Sequence, residues 1–566
     1  MCSICGGNVS SVLIQKASKT MTHRGPDGNG LFNDGTVSLA HNRLRIIDLS
    51  DEAAQPMQDG DLVLVYNGEI YNYLEIKSEL QKKGIVFHTS SDSEVLLKAY
   101  RYWGAESLKR FNGDFAFCIY DTKNKTMFLA RDRLGNKPFY YTLKGGKLFF
   151  ASEIKAFKAV STLEFDEQTL CDSILFNIND YSQRTVYKDI NHLPPAHHGI
   201  FDTKNGKLSL KKYWTLSEPE DADRKFDTIE CEKNCAKFEE LFETALLLRL
   251  RSDVDVSILL SGGIDSSLIA AILKKNNRDM HYFGAIFPSY PASDESGFMD
   301  KVAKSFGLNL IKLSPKIDEL KLLMDDFLAT QMDMTRSFST FVQYAVFKEL
   351  SQYSKVAVTG QGADELFGGY YHHIARFLTY DEQNLRERIA IYGKEALAEH
   401  ALGSKFSLPE SLKKMQIIED NRKPLEKIKS LFENYEPNYD LLLEKFVSSP
   451  NHALHKDTVK FNLPMLLRFE DRNAMRFGVE NRTPFTDYRV VEFAHSLPNA
   501  YKFHNGYSKF LLRKILSNYL SDDIVYRKDK KGFEAPDMAW MRELGKTAND
   551  TVDIRIFFYE RLKQLI

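Results

Sequence analysis

The sequence has no stretch approaching the roughly 18 apolar residues that a membrane helix needs, and its start lacks a basic segment followed by a long apolar run. Neither membrane insertion nor export is expected, and the reading is cytoplasmic. A dominant charge is absent as well. The formal net charge is -1 and the 76 basic residues are spread along the chain, so nucleic acid is not an expected partner. Cysteine is scarce, 6 in 566 residues, which excludes a disulfide framework. Cys2/Cys5 and Cys231/Cys235 have the look of paired metal ligands, but the second pair lies in a charged, helix-like segment where a spacing of four is the helical period; zinc is not expected. Cys118 and Cys171 read as small core residues. There is no internal repeat, no low-complexity tract and no GxxxxGK[ST] loop, which argues against cleavage of ATP between its β and γ phosphates.

What is present is ordinary globular usage, 43% apolar and 27% charged, in a chain longer than a single core supports. Up to about residue 212, short aromatic and β-branched runs such as DLVLVYNGEIYN, DFAFCIYD and KLFFASE alternate with turn signals and two helical patterns. That pattern predicts packed antiparallel sheets layered with helices. SEPEDADRKFD, Ser217 to Asp227, is polar and reads as a linker. Beyond it the rhythm becomes helix, short apolar strand, helix, which predicts a parallel sheet covered by helices. Residues 376–461 form a charge-rich helical stretch without recognisable site residues.

Cys2 follows the initiator Met and is small enough for Met1 to be removed, which would leave it a free α-amine. An α-amine has a pKa of about 7.7–8.0, so one residue could supply both a thiol nucleophile and its base. Alone this is weak. It gains weight from its company: HRGPDGNG at 23–30, HNRLRIIDLS at 41–50, YNGEIYN at 66–72, SSDSEV at 90–95 and RDRLGNKPFYY at 131–141. Together they resemble the N-terminal-nucleophile glutaminase domain of the class II amidotransferases. The resemblance implies that Cys2 attacks the glutamine amide and that Arg43 holds the substrate carboxylate. By the same resemblance Asp92 pairs with the amino group, and Leu44, Arg45, Ile46, Ile47 and Glu69 line the pocket. Asn67 and Gly68 would form the oxyanion hole, an amide donor beside an unobstructed backbone N–H.

In VDVSILLSGGIDSSLIAAILKK an apolar strand runs into Ser261, Gly262, Gly263, Ile264, Asp265 and Ser266 and opens a helix, an anion-binding arrangement. SGGIDSS resembles the loop of ATP pyrophosphatases, which adenylate a substrate. VAVTGQGADELFGGYY at 356–371, RFEDRNAMRFGVENRTPFTD at 468–487 and YRKDKKGF at 526–533 resemble the asparagine synthetase family. The resemblance places Leu260, Ala285, Thr359 and Gly360 at the nucleotide and Gln361, Asp364, Glu365 and Lys509 at acyl-adenylate formation. It also implies Mg²⁺ on Asp265 and Asp364, since hard oxygen ligands suit that ion. A solvated helix lysine is the alternative for Lys509, and Glu480 and Arg482 could form a structural ion pair or equally touch substrate.

The implied fold is an α+β N-terminal-nucleophile sandwich (αββα), residues 2–213, followed by an α/β parallel-sheet nucleotide-binding domain with helical additions, residues 228–566. The implied activity is that of a ligase of amino-acid biosynthesis. Ammonia from glutamine is transferred to an adenylated carboxylate, aspartate by default, at the expense of ATP, and the resemblance makes a homodimer plausible. Gln361 departs from the family, which usually has glutamate there. Amidation of another carboxylate, on a sugar or a secondary metabolite, is therefore a rival reading. A tRNA-thiolating pyrophosphatase is disfavoured by the complete glutaminase domain and the lack of a basic surface signature, and a catalytically silent binding protein by the intact Cys2, Arg43, Asp92 and Asp265.

Overall fold

The computed structural model describes residues 2–219, 225–527 and 534–566. The expected linker and the basic stretch 526–533 fall partly outside them.

Alternation along two central strands explains the N-terminal architecture. In Leu62–Ile70, Leu64, Tyr66 and Ile70 join one apolar cluster while Val63 and Val65 join another; in Gly113–Asp121, Phe115, Phe117 and Ile119 divide from Ala116, Cys118 and Tyr120 in the same way. Successive side chains of a strand leave on opposite faces, so a run that is apolar throughout must be covered on both. One face packs against the helices Tyr73–Gln81 and Asp92–Trp103, the other against a second sheet. Each sheet has six strands and all their pairings are antiparallel. The second sheet carries the helices Ser11–Lys19 and Glu167–Phe176 on its outer side. The layers are helix, sheet, sheet, helix, as expected, and Cys118 lies buried between the sheets.

The C-terminal half is built on a five-stranded parallel sheet in the order Asn309–Leu313, His281–Ala285, Val256–Leu259, Val356–Val358, Glu480–Arg482. From Val256–Leu259 the chain proceeds outward to one side and later returns to the other. The loops after Leu259 and Val358 therefore open side by side at a topological switch point, where open α/β sheets bind ligands. The helix Ile264–Lys275 is buried along nearly its whole length, which explains its near-continuous apolar sequence. Cys231 and Cys235 lie one turn apart on the helix Thr228–Arg249 and pack on the same core.

The charge-rich stretch 376–461 forms a set of helices that folds back on both halves. His372 and His373 each place Nε2 2.8 Å from Asp457 Oδ2, and the Tyr435 hydroxyl donates to Asp172 at 2.6 Å. The two halves are also tied directly. Arg24 reaches both oxygens of Asp471, at 2.8 and 3.1 Å, and Glu153 at 3.0 Å; Lys355 meets Asp27 at 2.8 Å, and Arg468 meets Asp180 at 2.7 Å.

Candidate functional sites

Cys2 immediately precedes the strand Ser3–Gly7, Arg43 ends Ser38–Arg43, Asn67, Gly68 and Glu69 lie within Leu62–Ile70, and Asp92 opens the helix Asp92–Trp103. Segments of both sheets thus converge. Cys2, Arg43, Leu44, Ile46, Ile47, Gly68, Glu69 and Asp92 line one cavity with Tyr66, Ser91 and Ser93. It is a small, polar cavity. Arg45 does not join them. Its side chain turns outward to the Leu49 carbonyl at 2.7 Å and to Asp51 at 2.5 Å, and these two partners hold it away from the cavity.

The backbone nitrogen of Cys2 donates to Asn67 Oδ1 at 3.0 Å, which leaves Asn67 Nδ2 buried and without a partner. An orphan buried donor is unusual, and here it is available to an oxyanion. Gly68 is required beside it: a Cβ there would stand 2.2 Å from the Asp114 carbonyl oxygen of the neighbouring strand. Burial pushes the Cys2 thiol up, and the Arg43 guanidinium only partly opposes this, so a base is needed to generate the thiolate. Arg43 is braced by the Ser50 carbonyl at 2.6 Å and by the Asp48 carbonyl. Asp92 accepts from the Tyr66 hydroxyl at 2.8 Å and the Ile70 N–H at 3.0 Å. Burial and the neighbouring Asp92 hold Glu69 well above the usual carboxylate range. Two buried acids side by side favour a cation between them, as an α-ammonium group would be.

The second site is a cavity of about 950 Å³ at the mouth of the parallel sheet. Leu260, Ser261, Gly263, Asp265, Ser266, Ala285, Thr359, Gly360, Gln361 and Asp364 all line it, with Leu259, Phe283 and Val346 as an apolar wall. The loop is held in shape by its serines: Ser266 Oγ accepts from Ser261 N at 3.1 Å, and Ser261 Oγ accepts from Gly263 N at 3.3 Å. Gly262 makes the turn at a φ of +71°, with its Cα so close to the next helix that a Cβ would lie 2.8 Å from Met299 N.

Lys509 is not a solvated lysine. It is buried, with Nζ 2.6 Å from Asp265 and 2.5 Å from Asp364. Burial works against its charge, but the two carboxylates outweigh it and hold it above the usual lysine range. Glu480 and Arg482 do form an ion pair, at 2.6 Å and fully buried. Arg482 goes further, with Nη2 3.4 Å from Glu69 Oε2 in the wall of the cysteine cavity. Glu365 does not line the large cavity. It lies behind it, accepting from the Tyr370 hydroxyl at 2.9 Å and Asn462 Nδ2 at 2.6 Å, and burial followed by Asp364 pushes it up to about 8.

Sequence reasoning assigned nothing to Glu470, although it lies in the quoted RFEDRN run. The structure places it in the cavity wall, pushed up to about 7 by burial. It accepts from Asn481 Nδ2 at 2.6 Å, Gln343 Nε2 at 3.1 Å and the Thr359 hydroxyl at 3.3 Å. Its signal was an acid repeated on the inner face of an amphipathic helix, indistinguishable in sequence from the structural acid Asp471.

The fold and these cavities define a class: a glutamine amidotransferase of the N-terminal-nucleophile type joined to an ATP-dependent synthetase. Residues 1–214 match the glutamine amidotransferase domain, and residues 237–564, more than half the chain, match asparagine synthase. The chain belongs to the asparagine synthase family, carbon–nitrogen ligases that use ATP and take glutamine as amide donor. It is 31% identical to asparagine synthetase [glutamine-hydrolyzing] 1 of Bacillus subtilis (strain 168), over 94% of this chain and 85% of that protein. Asparagine synthetase [glutamine-hydrolyzing] 3 of the same organism is 29% identical, over 93% and 86%. Amidase chyE of Penicillium rubens (strain ATCC 28089 / DSM 1075 / NRRL 1951 / Wisconsin 54-1255) is 28% identical, over 92% and 84%. No helix among the described residues is long and apolar enough to cross a membrane.

Proposed function

We propose that this chain is a cytoplasmic asparagine synthetase. Residues 2–213 would release ammonia from glutamine, and residues 228–566 would use it to amidate aspartate. The observation that carries the reading is Arg482. Its side chain meets Glu69 in the cysteine cavity, while its backbone carbonyl accepts from Thr359 N, at 3.0 Å, in the nucleotide cavity. One buried residue at the end of the parallel sheet thus borders both sites, which places the two half-reactions next to each other.

In the first half-reaction Cys2 Sγ attacks the side-chain carbonyl of glutamine, and its proton passes to the α-amine exposed by removal of Met1. Asn67 Nδ2 and Gly68 N–H receive the oxyanion, and Arg43 and the Asp92–Glu69 pair hold the two ends of the substrate. Ammonia leaves with the proton, and water hydrolyses the thioester to glutamate. In the second, the acceptor carboxylate attacks the α-phosphorus of ATP bound on Ser261–Ser266, and pyrophosphate departs past Lys509. Ammonia then attacks the acyl-adenylate, AMP leaves, and the nitrogen must lose a proton. The paired carboxylates of Asp265 and Asp364, which already converge on one cation, fit Mg²⁺; these two residues would hold it, and the ion would supply charge neutralisation at the pyrophosphate.

The second reading, amidation of another carboxylate, is favoured by Gln361, whose carboxamide lines the cavity and makes no side-chain hydrogen bond to described residues. A relative with the name amidase, that of Penicillium rubens, keeps this reading open. The test is to supply ATP, Mg²⁺ and glutamine with a panel of carboxylates, identify the amidated product and measure AMP. Asparagine with stoichiometric AMP supports the first reading; ADP as the nucleotide product contradicts both.

A further inference from the structure

Residues 44–50 connect the strand Ser38–Arg43 to the short helix Asp51–Ala53 and belong to no strand or helix themselves. They nevertheless shape much of the cysteine cavity. Leu44, Ile46 and Ile47 line it, and the carbonyls of Asp48 and Ser50 brace the Arg43 guanidinium. A segment without a ladder of its own takes its shape from the groups that satisfy its backbone. Two of those groups tie it to the synthetase half. Asp253 clasps the segment twice: its N–H donates to the Ile46 carbonyl at 2.9 Å, and its Oδ2 accepts from Asp48 N at 2.8 Å. Asp27 Oδ2 accepts from Arg45 N at 2.8 Å and is itself held by Lys355 Nζ at 2.8 Å.

The clasp acts where the backbone turns. Asp48 has a φ of +56°, in the left-handed region that L-residues seldom adopt. Its own carboxylate is engaged by Ser50 N and Oγ, at 3.1 and 2.6 Å, and by Ser90 N at 2.8 Å. The carbonyls that brace Arg43 belong to this turn, so an error in its shape moves the guanidinium. Asp253 is fixed from its own side. Ser252 Oγ donates to the Val254 carbonyl at 2.8 Å and accepts from Val254 N at 3.1 Å, while Arg251 reaches the Tyr71 carbonyl at 2.7 Å and Glu75 at 2.6 Å. Apolar packing follows the same path: Leu44, Ile46 and Ile47 form one buried cluster with Val356 and Met475, and Val254 and Val256 pack against it. Val256 opens the strand that runs into the Ser261–Ser266 loop.

We propose that Asp253, a residue of the synthetase half, is a positioning residue for glutamine: by holding the Ile46–Asp48 turn it sets the place of Arg43 and hence the grip on the substrate carboxylate. This rests on the reading of Arg43 as the clamp for that carboxylate. It adds that the affinity of the first site is fixed by a side chain lying outside the amidotransferase fold. A charge-assisted hydrogen bond to a main-chain N–H is strong enough to impose such a geometry.

The experiment measures glutamate release by the full chain as a function of glutamine concentration. Asp253→Ala is expected to raise the glutamine KM by about 5- to 20-fold, the range for one lost charge-assisted hydrogen bond, with kcat changed less and with ammonia-supported amide formation and the thermal midpoint unchanged. Asp253→Asn keeps an acceptor for Asp48 N and should recover most of the loss. Arg43→Gln should raise the same KM, and in that background Asp253→Ala should add less than about twofold, because the two residues act as one unit. Full additivity of the two changes, or an unchanged glutamine KM in Asp253→Ala, overturns the proposal while leaving the Arg43 clamp standing. Parallel losses in kcat, in ammonia-supported synthesis and in the thermal midpoint would show a merely structural role and overturn it as well. An unchanged glutamine KM in Arg43→Gln alone would overturn the clamp reading and this inference together.

Discussion

Lys509 donates to both carboxylate oxygens of Asp265, at 2.7 and 2.6 Å, and so occupies the gap between Asp265 and Asp364. The acidic pair beside the Ser261–Ser266 loop, proposed above as the ATP site, therefore carries its own counter-ion. We predict that Lys509→Met lowers pyrophosphate release by about 10²- to 10³-fold, as for loss of a positioned charge in a dry site, and leaves glutamine hydrolysis within about twofold of wild type. Assaying the two half-reactions separately checks this; equal loss in both would show that Lys509 only supports the fold.

In the proposed mechanism Cys2 acts in the first half-reaction alone. Cys2→Ala is expected to reduce glutamate release by more than about 10³-fold while ammonia-supported amide formation stays close to wild type. Comparison of the two nitrogen sources at saturating concentration is sufficient. Residual glutamine-supported synthesis at the wild-type level would remove Cys2 from the mechanism.

Arg24 is fully buried between Asp471 and Glu153. It joins the amidotransferase half to the helix that also carries Glu470. Removing it leaves buried carboxylates without their cation, so Arg24→Ala should destabilise the protein by about 3–5 kcal/mol. Urea unfolding of the variant measures this. A change under about 1 kcal/mol would mean that water replaces the guanidinium at the boundary.

The N-terminal layers were legible because period-2 alternation in Leu62–Ile70 and Gly113–Asp121 carries both faces of a buried sheet. The loop Ser261–Ser266 was legible because glycines and small hydroxyls between an apolar strand and a helix have few other uses. Arg45 and Glu470 were not, and Lys509 was placed at the site only by the family resemblance, with a solvated helix lysine as its alternative. Each lies in a segment that the sequence marks as important, but the direction in which a charged side chain points depends on partners more than forty residues away or on the local turn. Arg45 meets Asp51 rather than the pocket, and Lys509 meets Asp265 across 244 residues. The helices of 376–461 gave no site signal because what anchors them, such as Asp457 on His372 and His373, are single long-range contacts without a local motif.

Gln361 raises the question of which group takes the proton when ammonia becomes an amide, because a carboxamide is not a useful base. The neighbouring acid Glu365 lies behind the cavity, where Tyr370 and Asn462 occupy it. Glu470 lies in the cavity wall and hydrogen-bonds to Thr359, two residues from Gln361. With a pKa of about 7, raised by burial, it is protonated at lower pH and becomes a competent acceptor as pH rises through that value. Measured at a fixed concentration of unprotonated ammonia, wild-type amide formation should therefore rise between about pH 6 and pH 8, the window set by that value. Glu470→Gln should lower the rate by about 10²-fold and flatten the rise, whereas Gln361→Glu should raise the aspartate-dependent rate and restore part of the loss in the double variant. A pH rise that survives Glu470→Gln would assign the proton to another group. If neither wild type nor Gln361→Glu makes asparagine while a different carboxylate is amidated, the glutamine marks an altered acceptor pocket and not a displaced base.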